Sequence, residues 1–264
     1  MNIGLVLSGG GIRGIAHIGA IKAMEEYGIG ISHISGTSAG AIVGALYAHG
    51  YDHKEMMSFF KRIQIFDIKK FAINKPGFID SEKYYDLFNE FFPVDNFSSL
   101  KKSLTVTATD ILEGKLATFN EGELIKPLIA SAAYPGVFAP IRIKDSYYID
   151  GGTLDNFPVD FLTDSCERII GVYVNSFKKI KFSDLKHFHN ILERAFKLKS
   201  INEDILKFDK CDLVICPEDL SNYGTFDKKH LKEIFKIGYN YTKELLMENT
   251  IEFYDQELQR ALGI

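Results

Sequence analysis

The stretch that most constrains how this chain can fold is Gly36-Thr37-Ser38-Ala39-Gly40. It follows a short apolar run, Ile31 to Ile34, that reads as a strand, and it precedes a run of helix formers, Ala41 to His49. The chain must pass from strand to helix through a turn so tight that residues flanking the serine crowd one another. Glycine at both flanks removes the Cβ atoms that would collide. A G-x-S-x-G in this setting is the nucleophile-elbow pattern, with the serine on a strained backbone, its Oγ exposed and a helix N-terminus below it.

The segment before the elbow has the same character. Ile3 to Leu7 is a short apolar run that feeds Ser8-Gly9-Gly10-Gly11, and Gly14 to Tyr27 carries Ile15, Ile18, Ile21 and Met24 on one helical face. Strand, loop, helix, strand, elbow, helix is a βαβα start, which implies parallel strands joined by right-handed crossovers. Further along, the patterns predict a helix over 52–62 and another from the Asp80-Ser81-Glu82 cap to Phe92. Strands follow over 104–110 and 114–119, then a helix over 120–131 and a hairpin of 141–143 with 147–149 around Lys144-Asp145-Ser146. Strands over 168–175 and 212–216, an amphipathic helix over 227–248 and a last helix over 251–262 complete the chain. The expectation is one three-layer α/β/α domain over 1–264 with a mostly parallel central sheet. It carries a helical aromatic and basic cap near 52–93 and C-terminal helices near 227–262.

Composition excludes several classes. At 46% hydrophobic residues over 264, the chain can build a full core without disulfides or metals. Its 31 basic and 35 acidic side chains argue against a nucleic-acid protein, which carries a clear basic excess. Cys166, Cys211 and Cys216 are an odd number without paired spacing, and read as buried thiols of a reducing compartment. The start lacks a signal peptide's basic flank and apolar length, and no run of about 18 apolar residues occurs, so a cytoplasmic location is expected.

Three constellations carry chemistry. Gly9-Gly10-Gly11-Ile12-Arg13-Gly14 fits G-x-G-x-x-G between a strand and a helix, which invites a dinucleotide-binding reading. That reading needs a carboxylate at the end of the second strand, where Ser35-Gly36-Thr37-Ser38 stands instead. Such a loop can also aim several backbone N–H groups at one anion beside Ser38, aided by the helix that follows. Asp150-Gly151-Gly152, after Tyr147 to Ile149, puts an aspartate at a strand end, either in an ordinary turn or facing a shared site. A serine–histidine–aspartate triad in hydrolase order would call on His187, His189 or His230, none of which stands in a glycine-marked turn. All three read as surface histidines, and His17 and His33 as helix-face and core residues.

These residues resemble the signatures of the patatin-like phospholipase family, and most closely its compact bacterial branch. The glycine loop over 9–14, the elbow over 36–40 and Asp150-Gly151-Gly152 match in order. Ser131-Ala132-Ala133-Tyr134-Pro135-Gly136-Val137-Phe138 and Asn156-Phe157-Pro158-Val159 are similar to the blocks that flank the aspartate. The resemblance spans Asn2 to Val174, with a weaker echo at Ile237-Gly238-Tyr239. It implies a serine acyl hydrolase acting on lipid esters through a dyad, with Ser38 as nucleophile and Asp150 as base, by way of an acyl-enzyme. The oxyanion would be held by backbone N–H groups of Gly9, Gly10, Gly11 and Ala39. Arg13, Gly14, Gly36, Gly40, Gly151 and Gly152 would support the loops, and Arg13 would hold the glycine loop or meet a head-group charge, against the plain reading of a solvated helix-start arginine. No cofactor and no metal are implied.

An aspartate of ordinary pKa, about 3.9, is a feeble base, so the dyad requires burial that raises it. Two alternatives stand beside this reading: a triad esterase of soluble esters, and a catalytically silent lipid-binding or regulatory member of the family. The expected partner is a lipid or phospholipid substrate, not nucleic acid. The aromatic stretch 59–92, overlapping Lys54 to Lys75 with six basic residues against Glu55 and Asp67, either rests on an anionic membrane or packs inward as a cap.

Overall fold

Apolar continuity, not alternation, marks the first strand, β1 (Ile3–Leu7), all of whose residues are buried. That is what a strand covered on both faces requires. The computed structural model describes residues 1–63, 82–182, 185, 188–225 and 228–262. After β1 come α1 (Ile15–Glu26), β2 (Ile31–Thr37), α2 (Ala39–His49), α3 (His53–Arg62), α4 (Glu82–Phe91), β3 (Ser103–Asp110) and β4 (Lys115–Phe119). Then follow α5 (Ile125–Ser131), β5 (Ile141–Ile143), β6 (Ser146–Asp150), β7 (Arg168–Val172), α6 (Phe188–Asp204), β8 (Leu213–Ile215) and α7 (Leu231–Leu262).

Among the described residues, one sheet contains the eight strands. Its centre is parallel, in the order β3, β2, β1, β7, β8, while β4 runs antiparallel to β3 and β5–β6 form an antiparallel hairpin. Helices flank this mostly parallel sheet, as expected. Leu5 and Leu7 face a core shared with α1 and α2, and Val6 faces the opposite side with Phe157, Leu162, Tyr173 and Ile201. Cys166, Cys211 and Cys216 are free thiols, partly buried against that second cluster.

The ends of β3 decide what the sheet can position. Along one edge β3 pairs β4, at Val106 to Asp110. Along the other it pairs β2 as far as Thr37–Thr107, and from Ala108 onward that edge is taken over by β6 running the opposite way. The first β6 residue after the changeover is Asp150, opposite Ala108. The C-terminal ends of β2 and β6 therefore meet end to end on one edge of β3.

The structure corrects several boundaries. The helix expected over 120–131 begins only at Ile125. Gly122 takes a φ of 74°, and the N–H groups of Leu124 and Ile125 donate to the Asp95 carboxylate at 2.8 and 2.7 Å, a cap supplied from outside the local sequence. The two helices expected over 227–248 and 251–262 run as one, α7, because no glycine or proline interrupts residues 239–262. In the cap segment, α3 starts at the capping box of Asp52 and Glu55. Phe59, Phe60, Phe88 and Phe92 are fully buried, and Phe59 meets Phe88 and Phe91 edge to face. The described aromatics of this segment pack inward, while Lys69, Lys70 and Lys75 lie outside the described residues.

Candidate active site

Ser38 sits between β2 and α2 with φ 54° and ψ −124°, a conformation that only a packed surrounding keeps in place for a residue with a Cβ. The glycines around it answer to close backbone approach. A Cβ on Gly36 would lie 2.8 Å from the Gly40 carbonyl oxygen, and one on Gly40 would lie 2.2 Å from the carbonyl oxygen of Leu7 in β1. The first glycine thus admits the turn, and the second lets α2 ride against the end of the neighbouring strand.

Asp150 is buried at the end of β6, its carboxylate accepts from the Gly152 N–H at 2.8 Å, and it lines the same cleft as Ser38. Burial pushes its pKa up to about 6, opposed by the Gly152 hydrogen bond and the nearby Ser38 hydroxyl. The end of α5 and the residues just past it fix both partners at once. Ser131 Oγ accepts from the Ser38 N–H at 2.8 Å, and the Ala133 carbonyl accepts from the Asp150 N–H at 3.0 Å.

The glycine loop lies alongside. Gly10 and Gly11 line the same cleft as Ser38 and Asp150, together with Tyr134 and Phe138. No acceptor among the described residues takes the N–H of Gly10 or Gly11. Ala39, as the first residue of α2, is one of the positions whose N–H has no intrahelical acceptor. Gly9 differs, since its N–H donates to the Asn156 carbonyl at 3.2 Å, so it anchors the loop and is not a donor to the cleft.

Arg13 is not a solvated helix-start arginine. It is 2% exposed, and its guanidinium donates to the Gly10 carbonyl and to Asn175 Oδ1. Asn175 Nδ2 donates in turn to the Gly9 carbonyl at 2.8 Å, and the Ile12 N–H to the Thr225 carbonyl at 2.8 Å. The loop is held from three sides. Behind it, Asn156 Nδ2 and the Tyr173 hydroxyl both donate to Asp204, a buried carboxylate at the end of α6 that burial also raises to about 6.

Asn175 stands just past β7 at the same sheet edge, a position that could have drawn notice. Ser131 and Asn156 fall inside blocks already singled out, but Thr225 and Asp204 left no local signal. Among the described residues no histidine lines the cleft. His17 is fully buried in α1, where its Nε2 hydrogen-bonds the Ser8 carbonyl at 2.8 Å and burial lowers its pKa to about 4. His33 bonds the Ser32 hydroxyl on β2, and His230 packs against the Tyr223 ring. His187 and the side chain of His189 lie outside the described residues. Among the described residues no group of three or more His, Cys, Asp or Glu is placed to hold a metal ion.

A family model described as patatin-like phospholipase matches residues 5–163. An NTE family protein of Mycobacterium tuberculosis is 35% identical over 159 residues, 60% of this chain and 44% of that protein. Lysophospholipase NTE1 of Candida glabrata is 31% identical over 288 residues, 92% of this chain and 16% of that protein. The chain spans less than half the length of these curated relatives. Of solved structures, VipD from Legionella pneumophila superposes with a TM-score of 0.55 at 16% identity, over 94% of this chain and 67% of that one. A chain of the ExoU–SpcU complex of Pseudomonas aeruginosa does so with a TM-score of 0.52 at 18% identity, over 94% and 51%. At such identities the likeness is one of fold.

Proposed function

The chain belongs to the patatin-like phospholipase family, and on that premise we propose that residues 1–264 act as one serine acyl hydrolase domain that cleaves lipid esters through Ser38 and Asp150. The observation that carries this reading is the buried carboxylate of Asp150 in one cleft with Ser38 and with Gly10 and Gly11 of the glycine loop.

In the first half-reaction Ser38 Oγ attacks the ester carbonyl carbon and its proton passes to Asp150. Burial makes Asp150 a better acceptor than a solvated aspartate, since its conjugate acid lies nearer neutral pH. The negative charge that forms on the carbonyl oxygen falls to the N–H groups of Gly10 and Gly11, with Ala39 at the helix N-terminus. Losing one such donor typically raises the barrier by about 3 kcal/mol. The tetrahedral intermediate collapses, the carbon–oxygen bond to the leaving alcohol breaks, and Asp150 returns the proton to that alcohol. In the second half, water attacks the acyl-enzyme, gives its proton to Asp150, and Ser38 leaves with that proton as the free acid departs. Arg13 keeps the loop's N–H groups aimed at the cleft and has no part in the proton transfers. The apolar side chains of Tyr134 and Phe138 give the acyl chain a wall.

Labelling of the protein by a fluorophosphonate probe tests the reading. Ser38→Ala is expected to lose both labelling and hydrolysis of ester substrates while keeping its thermal unfolding midpoint, and Asp150→Asn to lose hydrolysis comparably. Hydrolysis retained by Ser38→Ala would sink the proposal. Loss of hydrolysis on replacing His187, His189 or His230 would turn it into a triad mechanism.

A further inference from the structure

Of the described aromatics of the 59–92 segment, Phe59, Phe60, Tyr84, Phe88 and Phe92 are buried and Tyr85 and Phe91 are partly buried. Exposed apolar side chains collect instead in residues 177–206: Phe177, Phe182, Ile191, Leu198, Ile205 and Leu206 are each between 43% and 88% exposed. Ile191 and Leu198 are seven residues apart, which places them in one stripe along α6, and Ile205 follows directly past its end. The same helix turns a second face inward. Ile201 and Asp204 are buried there, and Lys197 and Ser200 line the cleft that holds Ser38 and Asp150. One helix therefore joins an exposed apolar stripe to the rim of the site, with the stripe roughly 140° around the helix from the face that closes the cleft.

Charge points to what the stripe meets. Residues 177–206 carry seven Lys and Arg against four Asp and Glu, of which Asp204 is buried, in a chain whose formal net charge is −4. The Arg194 guanidinium lies over the Phe177 ring at 3.7 Å, so this cation and this aromatic are presented side by side. The Lys199 ammonium ties α6 to the Thr153 carbonyl, in the turn that follows Asp150. No described helix is long and apolar enough to cross a membrane. Apolar side chains interleaved with lysine and arginine on an exposed helix are what lies in the interface of an anionic bilayer, where the rings and aliphatic groups enter the acyl boundary and the cations stay at the phosphates.

We propose that the described residues of 177–182 and 188–206 form the docking surface of this protein for an anionic phospholipid bilayer, and that docking brings the mouth of the Ser38 cleft to the lipid. What docking is for rests on the acyl hydrolase reading, whereas the docking itself does not. A second copy docking through the same face would set one basic surface against another, whereas an anionic bilayer complements it.

Flotation with phosphatidylglycerol-containing vesicles and with pure phosphatidylcholine vesicles tests it, using the 264-residue chain with Ser38→Ala so that the vesicles are not consumed. The expected result is binding to the anionic vesicles, weakened by high salt, and little binding to the neutral ones. Phe182→Ser with Ile191→Ser and Leu198→Ser is expected to weaken partitioning by about tenfold or more, since each removes apolar surface from the interface. Lys179→Glu with Lys181→Glu, which leaves the apolar stripe intact, is expected to weaken anionic binding alone. In the Ser38 background, both sets of variants should cleave a soluble short-chain nitrophenyl ester at the unaltered rate.

Equal flotation of the variants, equal binding to neutral vesicles, or a concentration-dependent dimer that the triple variant dissolves would each overturn the proposal. Soluble-ester hydrolysis without flotation would end the docking proposal and leave the hydrolase reading in place. Flotation without any ester hydrolysis would do the reverse.

Discussion

At the scale of single residues, the proposal turns on a carboxylate whose environment penalises its charge. The Asp150 pKa is raised from the usual aspartate range to about 6 by burial. Its protonated form is therefore favoured in the folded state. The corresponding stability is fully present below the ordinary aspartate pKa and is lost as pH rises through about 6. Two consequences separate the chemical and structural effects. Ester hydrolysis by the wild type should fall as pH drops through about 6, because protonated Asp150 cannot take the Ser38 proton, and a pH–rate profile of kcat/KM measures this. Asp150→Asn should be more stable than the wild type at pH 8, on the order of 2–3 kcal/mol, and no more stable near pH 4. Urea unfolding at the two pH values checks it. Ser38, the glycine loop and Asp150 are legible in sequence because each is a local pattern of small residues around one polar side chain. The hydrogen bonds that aim them, from Ser131, Asn156 and Asn175, are not legible, because a donor and its acceptor some hundred residues apart leave no mark on spacing.

At the scale of elements, most strands and helices follow from apolar patterning, and the misplaced boundaries have identifiable causes. The start of α5 is the clearest. Its first N–H groups are capped by Asp95, whose other carboxylate oxygen accepts from the Tyr85 hydroxyl at 2.7 Å. The local sequence therefore shows no cap where the helix begins. Asp95→Ala should cost about 1–2 kcal/mol of stability, as loss of a helix cap does. Because α5 runs into Ser131, the same substitution should slow fluorophosphonate labelling of Ser38. A shift in the urea midpoint together with slower labelling is the expected result. A shift in the midpoint alone would show that the position of Ser131 does not depend on the cap. The merger of the last two expected helices into α7 has a simpler cause, since Asn249-Thr250 is a poor helix pair but not a stop.

At the scale of the whole molecule, α1 and α7 close one side of the sheet, although they come from opposite ends of the chain. Their approach depends on two glycines. A Cβ on Gly19 would lie 2.2 Å from the Phe235 carbonyl oxygen, and one on Gly238 would lie 2.1 Å from that of Ala16. Gly238→Leu should therefore force the helices apart and destabilise the fold by about 3 kcal/mol, the upper range for overpacking. Chemical denaturation measures the loss, and an unchanged midpoint would contradict the close approach. By itself, the sequence determined the βαβα start, the parallel strands and the serine turn, because these depend on side-chain period and on glycine within a few residues. Tertiary structure alone decided which strand end Asp150 would share with Ser38. That follows from β6 taking over the edge of β3 at Ala108, a pairing choice made by backbone hydrogen bonds that every residue can form, and so one that no residue type announces.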